Sequence, residues 1–174
     1  GFNGGEYRTI YTREVIMVTN SKIEWTDATW NPVTGCSKIS PGCKNCYAER
    51  LALRLRAMGN RSYVNGFKIT CHEHLVDAPA NWSTSKMIFV NSMSDLFHED
   101  IPFEFIERAF QTMQRSPQHR FQVLTKRSAR LLQLSRDLPW PANVWMGVSV
   151  ENADYLYRIE HLRQTGAKCK FLSC

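Results

Sequence analysis

Residues 87–95 have the sequence MIFVNSMSD, an apolar run of four residues followed at once by polar ones. Such a run, bounded by turn-forming residues, is typical of a strand buried inside a parallel sheet. We expect Asp100 to cap the helix that follows and Pro102 to lie in its first turn. The apolar residues of that helix share one face at helical spacing: Phe103, Ile106, Phe110 and Met113.

The same pairing of a short apolar strand with a helix recurs along the chain. Further strands are predicted over 23–26, 121–124 and 144–148, with another beginning at 170. A helix is predicted over 47–58, and Gly59 ends it. A second helix is predicted to begin at Ser128, which can cap it. A third is predicted between Asn152 and Gly166. Residues 60–85 are interpreted as an irregular insertion. This alternation predicts an α/β fold with a parallel sheet and helical crossovers.

Polar residues follow four of these strands, where a parallel sheet binds its ligands. They lie in the loop over 36–46 and in three later groups: Asn91 to Asp95, Thr125 to Arg127, and Ser149 to Asn152. Asp95, with Ser92 and Ser94, can accept from an amine or a ribose hydroxyl, and Glu151 or Asn152 can do the same. Lys126 or Arg127 can hold a carboxylate or a phosphate. The pattern predicts a pocket for a polar ligand.

Three of the six cysteines lie close together in the loop over 36–46. Cys36, Cys43 and Cys46 have the spacing C-x6-C-x2-C, and neighbouring glycine and proline residues allow the loop to fold back on itself. Three thiolates can hold a four-iron cluster with one iron open to a ligand. They can also hold zinc with a fourth ligand from Cys71, His72 or His74. Three unrelated buried thiols are the remaining interpretation.

Composition limits the class of protein. The chain has 174 residues, of which 43% are hydrophobic, and this excludes a disordered or low-complexity protein. No apolar stretch approaches the roughly 20 residues of a membrane helix. No signal sequence is recognisable, so a reducing cytoplasm is predicted. The net charge of +6 makes nucleic acid a possible partner, although a solvated basic surface is the favoured explanation of the charge.

Several blocks of the sequence resemble a phage-protein family of the gene-product thirty-seven and sixty-eight type, which is also widespread in bacteria. The blocks are IEWTDATWNPVTGC over 23–36, SPGCKNCYAER over 40–50, FVNSMSDLFH over 89–98, FQVLTKR over 121–127 and GVSVEN over 147–152. This family looks like a relative of the radical SAM enzymes. The resemblance implies a partial (βα) barrel of radical-SAM type, incomplete after about the fifth strand.

The resemblance also implies a chemistry. Cys36, Cys43 and Cys46 would hold a four-iron cluster, S-adenosylmethionine would bind its open iron, and reductive cleavage would give a 5′-deoxyadenosyl radical. An electron donor would then be required. The residues that fall where such enzymes bind the cofactor are Ser92, Ser94, Asp95, Lys126, Arg127, Ser149 and Glu151. The resemblance suggests nucleic acid as a substrate to be modified or repaired. The alternative is a zinc-stabilised module, without catalysis, that binds nucleic acid or mediates a phage–host interaction.

The same resemblance predicts how the chain is divided. Residues 1–20 are expected to be a poorly ordered extension, and residues 21–174 to form the barrel domain. Relatives continue beyond Cys174 with further βα units. We therefore expect a C-terminally truncated member, with an uncovered sheet edge over 169–173 and a pocket that lacks one wall.

Overall fold

A computed structural model of the chain describes residues 26–174. The extension predicted over 1–20 and residues 23–25 of the first predicted strand lie outside this range. Among the described residues, no helix is long and apolar enough to cross a membrane.

A parallel sheet forms the centre of the described structure. Its order is β1, β4, β5, β6, β7, and every neighbouring pair is parallel. In this sheet β4 lies beside β1, and β5, β6 and β7 each lie beside the strand that precedes them in the chain. Right-handed crossover connections allow this order. The predicted α/β architecture is confirmed. The strands of this sheet are β1 (Ala28–Trp30), β4 (Met87–Val90), β5 (Arg120–Thr125), β6 (Val144–Ser149) and β7 (Cys169–Ser173).

Helices fill the connections between the strands. They are α1 (Tyr47–Ala57), α2 (Phe103–Gln114), α3 (Ser128–Leu134) and α4 (Tyr157–Arg163). The apolar face predicted for α2 is buried, since Ile106, Phe110 and Met113 are inaccessible to solvent. Phe110 lies edge-on to both Phe97 and Trp140, with centroids 6.3 and 5.2 Å away. Burial of this face against the sheet is what holds α2 in place.

The ends of several predicted elements need correction. The first described strand is Ala28–Trp30, which pairs with β4 and is buried, whereas Thr26, the one described residue of the strand predicted over 23–26, is not in a strand. Asp100 does not cap α2, since the residue before the first turn is Pro102. Ser128 is already the first residue of α3 and its hydroxyl bonds to His161. Asn152 does cap, but the helix it begins is a 3₁₀ turn over Ala153–Tyr155 that precedes α4.

The segment over 60–85 is more ordered than predicted. A strand, β3 (Thr70–Cys71), pairs antiparallel with β2 (Val33–Thr34), and 3₁₀ turns lie on both sides of it. Each of these strands has only two residues, which are too few for an alternating pattern to predict a strand. The pair of strands fixes the chain just before the cysteine loop, because Gly35 directly follows the last residue of β2.

Candidate functional site

A cavity of about 190 Å³ opens at the carboxyl edge of the sheet, beneath the cysteine loop. The ends of β4, β5 and β6 meet here, as expected for a parallel sheet. All of the predicted site residues except Glu151 line the cavity. Those that do are Cys36, Cys43, Cys46, Ser92, Ser94, Asp95, Lys126, Arg127 and Ser149. The structure therefore brings together residues that are more than a hundred positions apart in the sequence.

The three cysteines of the loop are free thiols, each partly buried. Burial raises the pKa of the Cys36 thiol, although the Arg127 guanidinium acts in the opposite direction. Burial also acts to raise the pKa of the Cys43 thiol, but hydrogen bonds from the Ile39 and Ser40 backbone outweigh it and lower that pKa. The protein environment thus favours the thiolate at Cys43 and the neutral thiol at Cys36.

The donor chemistry at this cavity suits a thiolate-bound cluster. No three His, Cys, Asp or Glu side chains in residues 26–174 converge closely enough to hold a single metal ion. The three thiols border one cavity, and three thiolates are the protein donor set of a four-iron cluster with one open iron.

Arg127 joins the cysteine loop to the end of β5. Its Nε donates to Glu99 at 2.8 Å, and its Nη2 donates to the carbonyl and hydroxyl oxygens of Ser37 at 3.1 and 2.9 Å. Its Nη1 donates to Asp95 Oδ2 at 3.4 Å and to Cys36 Sγ at 3.5 Å. These bonds use all five N–H groups of a guanidinium. Arg127 therefore holds the loop, and no donor remains for a ligand's phosphate or carboxylate.

The carboxylate of Asp95 is fully engaged within the protein as well. Oδ1 accepts from Thr125 Oγ1 at 2.7 Å and from the Phe97 amide at 3.0 Å. Oδ2 accepts from the Lys126 amide at 3.0 Å and from Arg127. Asp95 thus ties the end of β4 to the end of β5, a structural task that the sequence did not indicate.

Lys126 retains a donor for a ligand. Its ammonium group has three N–H bonds, and it contacts Ser149 Oγ at 3.3 Å and Glu151 Oε1 at 3.5 Å. Since the two contacts use two of the three N–H bonds, the third donor is available to an anionic group in the cavity. Of the two cations predicted at this strand end, Lys126 is therefore the one that can bind a ligand.

Glu151 lies behind the cavity wall and supports the cysteine loop. Its Oε1 accepts from Ser40 Oγ at 2.8 Å. Burial acts to raise the pKa of Glu151, but Ser40, the Gly42 amide and Lys126 together lower it. A Cβ at Gly42 would lie 2.4 Å from Oε1, so a larger residue there would displace the Glu151 carboxylate. Oε2 of Glu151 is buried and has no protein partner in the described range.

Ser92 and Ser94 are each anchored through one hydrogen bond. The Ser92 hydroxyl donates to Asn31 Oδ1 at 3.2 Å, and the Ser94 hydroxyl donates to the Val33 carbonyl at 2.9 Å. Both oxygens keep lone pairs that can accept from a ligand amine or hydroxyl. Their predicted role as ligand contacts is thus compatible with their bonding.

Asn91 is the site residue that the sequence analysis did not single out. It follows β4 directly, lines the cavity and has a positive φ of 58°, which asparagine tolerates better than most residues. Its side chain is buried, with the residue only 4% exposed, yet neither Nδ2 nor Oδ1 has a hydrogen-bond partner among residues 26–174. A buried unpaired amide costs about 1–3 kcal/mol. Because Asn91 lines the cavity, its amide is available to a polar ligand.

His98 supports the same loop from the other side. Its Nδ1 accepts from the Asp100 amide at 3.1 Å, so the neutral ring carries its proton on Nε2. That Nε2 contacts Ser37 Oγ at 2.7 Å. Burial, followed by the nearby Arg127 charge, lowers the pKa of His98. His98 is therefore a structural histidine, consistent with its position in a loop.

Gly35 sets the path of the chain into the cysteine loop. Its φ is +87°, and a Cβ there would lie 2.2 Å from the Lys68 carbonyl oxygen. Its amide donates to the Met93 carbonyl at 3.1 Å, so the residue cannot move away freely. Only glycine satisfies both the backbone conformation and the close contact.

Replacing Gly35 by alanine should lower the free energy of unfolding by roughly 2–4 kcal/mol, because strain at positive φ and a backbone clash add together. Gly59→Ala is the matched control. Gly59 has a φ of +75° but nothing within 4 Å of its Cβ position, so this variant should lose only about 1 kcal/mol. Urea unfolding measures both. Equal losses would show that the contact with Lys68 does not matter.

The residues proposed as a fourth zinc ligand lie elsewhere. Cys71 is in β3 and packs against the main core, and His72 Nε2 bonds to Thr34 Oγ1 at 2.9 Å. His74 lies edge-on to His72. None of the three lines the cavity that the loop cysteines share. The structure therefore offers no fourth zinc ligand from these candidates.

Comparison with known proteins identifies the fold. Residues 20–174 match the family described as "Protein of unknown function (DUF5131)". No curated protein sequence matches the chain. One similar solved structure is "Spore photoproduct lyase complexed with dinucleoside spore photoproduct", with a TM-score of 0.56 and 12% sequence identity. Another is a double mutant of that lyase "with bound AdoMet and dinucleoside spore photoproduct", with a TM-score of 0.57 and 14% identity.

Each of these alignments covers 92% of this chain but only 48% of the lyase chain. The chain thus spans about half the length of the lyases that it resembles. At this level of identity the likeness concerns the fold. The predicted α/β fold with parallel strands is confirmed, and it is similar to the fold of these lyases.

Proposed function

The chain belongs to the DUF5131 family, and from its site we propose that it binds a four-iron cluster and S-adenosylmethionine for the radical modification or repair of nucleic acid. The observation that carries this proposal is the shared cavity. Three free thiols from one loop and the polar ends of three parallel strands border the same space. Thiolates suit iron, and the strand-end groups suit an amino-acid and nucleoside ligand.

Different residues would bind the cluster, bind the ligand and support the cysteine loop. Cys36, Cys43 and Cys46 would hold the cluster. When bound, that group supplies the electron that cleaves S-adenosylmethionine, and an electron donor must restore it. Lys126 offers a donor to the ligand's carboxylate, whereas Arg127 keeps the cysteine loop in position.

The remaining strand-end groups would orient the ligand. Ser92, Ser94 and Ser149 have hydroxyl oxygens at the cavity wall, and Asn91 adds an amide that can both donate and accept. Glu151, behind the wall, keeps Ser40 and Lys126 in place. These groups match the amine, carboxylate and hydroxyls of the cofactor.

Nucleic acid is the substrate class that two observations favour. The similar lyase structures contain a dinucleoside photoproduct, and this chain carries a net charge of +6. Positive charge attracts the phosphate backbone. The competing function, a zinc-stabilised module without catalysis, needs a fourth protein ligand, and the candidates Cys71, His72 and His74 do not line the cavity.

Cleavage of S-adenosylmethionine tests the proposed function. The chain would be reconstituted anaerobically with iron and sulfide, reduced with dithionite, and incubated with S-adenosylmethionine. We expect 5′-deoxyadenosine to form, and we expect none from the Cys43→Ala variant under the same conditions. Equal amounts from both proteins would show that the loop cysteines do not support the reaction.

Asn91→Gly should weaken cofactor binding without destabilising the protein. Glycine removes an unpaired buried amide and accepts the positive φ of 58°, so the free energy of unfolding should stay equal or rise by up to about 1 kcal/mol. Loss of the amide should raise the Kd of S-adenosylmethionine about tenfold, measured by calorimetry on the reconstituted protein. An unchanged Kd would remove Asn91 from the binding site.

A further inference from the structure

Helix α1 and the turns beside it carry a group of cations without acidic partners. We call this group the α1 surface. All six side chains are exposed, and none forms an ion pair or hydrogen bond with any residue of the described part of the chain. Two acids lie nearby: Glu49 is paired with Lys38 at 2.9 Å, and Asp100 lines a cleft together with Arg56 and Lys68 without pairing with either. The members of the α1 surface are Lys44, Arg50, Arg54, Arg56, Arg61 and Lys68.

The α1 surface borders the cysteine cavity. Tyr47 and Ala48, in the first turn of α1, line the cavity itself. Arg56 and Lys68 line a second, open cleft of about 670 Å³ that also reaches Cys36. A long anionic ligand bound along α1 would therefore run past the opening where the thiols lie.

Tyr47 presents a fixed aromatic ring at this opening. Its hydroxyl donates to the Ser92 carbonyl at 2.5 Å, which holds the side chain in one orientation. The residue is nevertheless 54% exposed. A rigid, half-exposed ring beside a cationic surface is the arrangement on which unpaired bases stack.

The distribution of apolar residues on α1 argues against a membrane as the partner. A helix that lies on a membrane separates its charged face from its apolar face. Here Leu51 and Leu53, which are 38% and 50% exposed, flank the neighbouring Arg50 and Arg54, one on either side, on the exposed side of the helix. Cations and apolar groups that share one exposed face suit a ligand that carries both phosphates and bases.

We propose that the α1 surface binds the phosphate backbone of single-stranded nucleic acid and that Tyr47 stacks on an unpaired base at the mouth of the cysteine cavity. This inference rests on the proposed function for its substrate class and names the residues that would deliver the substrate. Because the binding uses no part of the cluster, it can be tested separately from the iron chemistry.

The test is binding of a short fluorescein-labelled single-stranded oligodeoxynucleotide, followed by anisotropy across a series of salt concentrations, before and after reconstitution. The variant combines Arg50→Gln, Arg54→Gln and Arg61→Gln. The matched control combines Arg120→Gln, Arg136→Gln and Lys168→Gln, which remove the same charge from exposed, unpaired side chains at the opposite edge of the sheet. Melting temperatures of both variants should equal that of the unchanged chain.

We expect the α1 variant to bind at least about tenfold more weakly and to lower the salt slope of log K by about two, since three phosphate contacts are lost. The control variant should keep nearly the same affinity and the same salt slope as the unchanged chain. Equal losses in both variants, no binding by the unchanged chain, or preferred binding to phosphatidylserine vesicles would overturn the proposal. A chain that binds the oligonucleotide but no iron would contradict the proposed function alone.

Discussion

Replacing Arg127 by methionine should lower the free energy of unfolding by about 3–5 kcal/mol, the usual cost of removing one partner from a buried ion pair. Arg127 is 4% exposed, and its partner Asp95 is 6% exposed. The loss would also free Ser37, to which Arg127 donates twice. Urea denaturation measures the change, and faster amide hydrogen exchange over residues 36–46 would locate it in the cysteine loop.

Two further variants show whether the geometry or the charge of Arg127 is responsible for the stability that it contributes. Arg127→Lys keeps the charge but cannot make five directed bonds, so it should recover less than half of the lost stability. Lys126→Met removes a neighbouring, more exposed cation and should cost about 1 kcal/mol or less. If Arg127→Met and Lys126→Met cost the same, Arg127 does not organise the site.

Loss of any one loop cysteine should abolish the iron centre. Alanine at Cys36, Cys43 or Cys46 leaves two protein thiolates, too few to retain a cluster that uses three. Iron bound after reconstitution should therefore fall to nearly zero in each variant. The absorbance of the cluster at about 400 nm should disappear with it. Iron and sulfide assays on the purified proteins give the result.

The chain supplies its own controls for this experiment. Cys169 begins β7 and Cys174 follows it, and neither borders the cavity. Cys169→Ala and Cys174→Ala should keep the iron content of the unchanged chain. A cluster lost equally in these variants would mean that overall thiol content, and not the loop, determines binding.

The fold could be predicted largely because short apolar strands leave a clear local pattern. Met87–Val90 is followed by a polar turn, and the strands and helices after it keep the same alternation. The strand Ala28–Trp30 was not predicted, because three residues carry no alternating pattern of their own and this strand forms through pairing with β4. The two-residue strands β2 and β3 likewise exist only through each other.

The residues of the site were predicted better than their roles. A strand end indicates where a polar side chain lies, because the carboxyl ends of parallel strands meet at one edge. It does not indicate partners that are distant in the sequence. Arg127 bonds to Ser37, ninety positions away, and Asp95 bonds to Thr125, thirty positions away. These bonds turn two predicted ligand contacts into structural supports.

Asn91 could not be singled out for a related reason. Its value as a ligand contact depends on a positive φ and on the absence of any partner for its amide in the described structure. Neither property has a local sequence signal, apart from its place directly after a buried strand. The sequence can predict a polar residue there, and only the fold reveals that its hydrogen bonds are unused.

Anaerobic reconstitution of the unchanged chain, followed by metal and sulfide analysis, tests the central claim most directly. A cluster held by Cys36, Cys43 and Cys46 predicts a brown protein with about four iron and four sulfide per chain. A colourless protein that instead binds one zinc ion through the same cysteines would contradict the account.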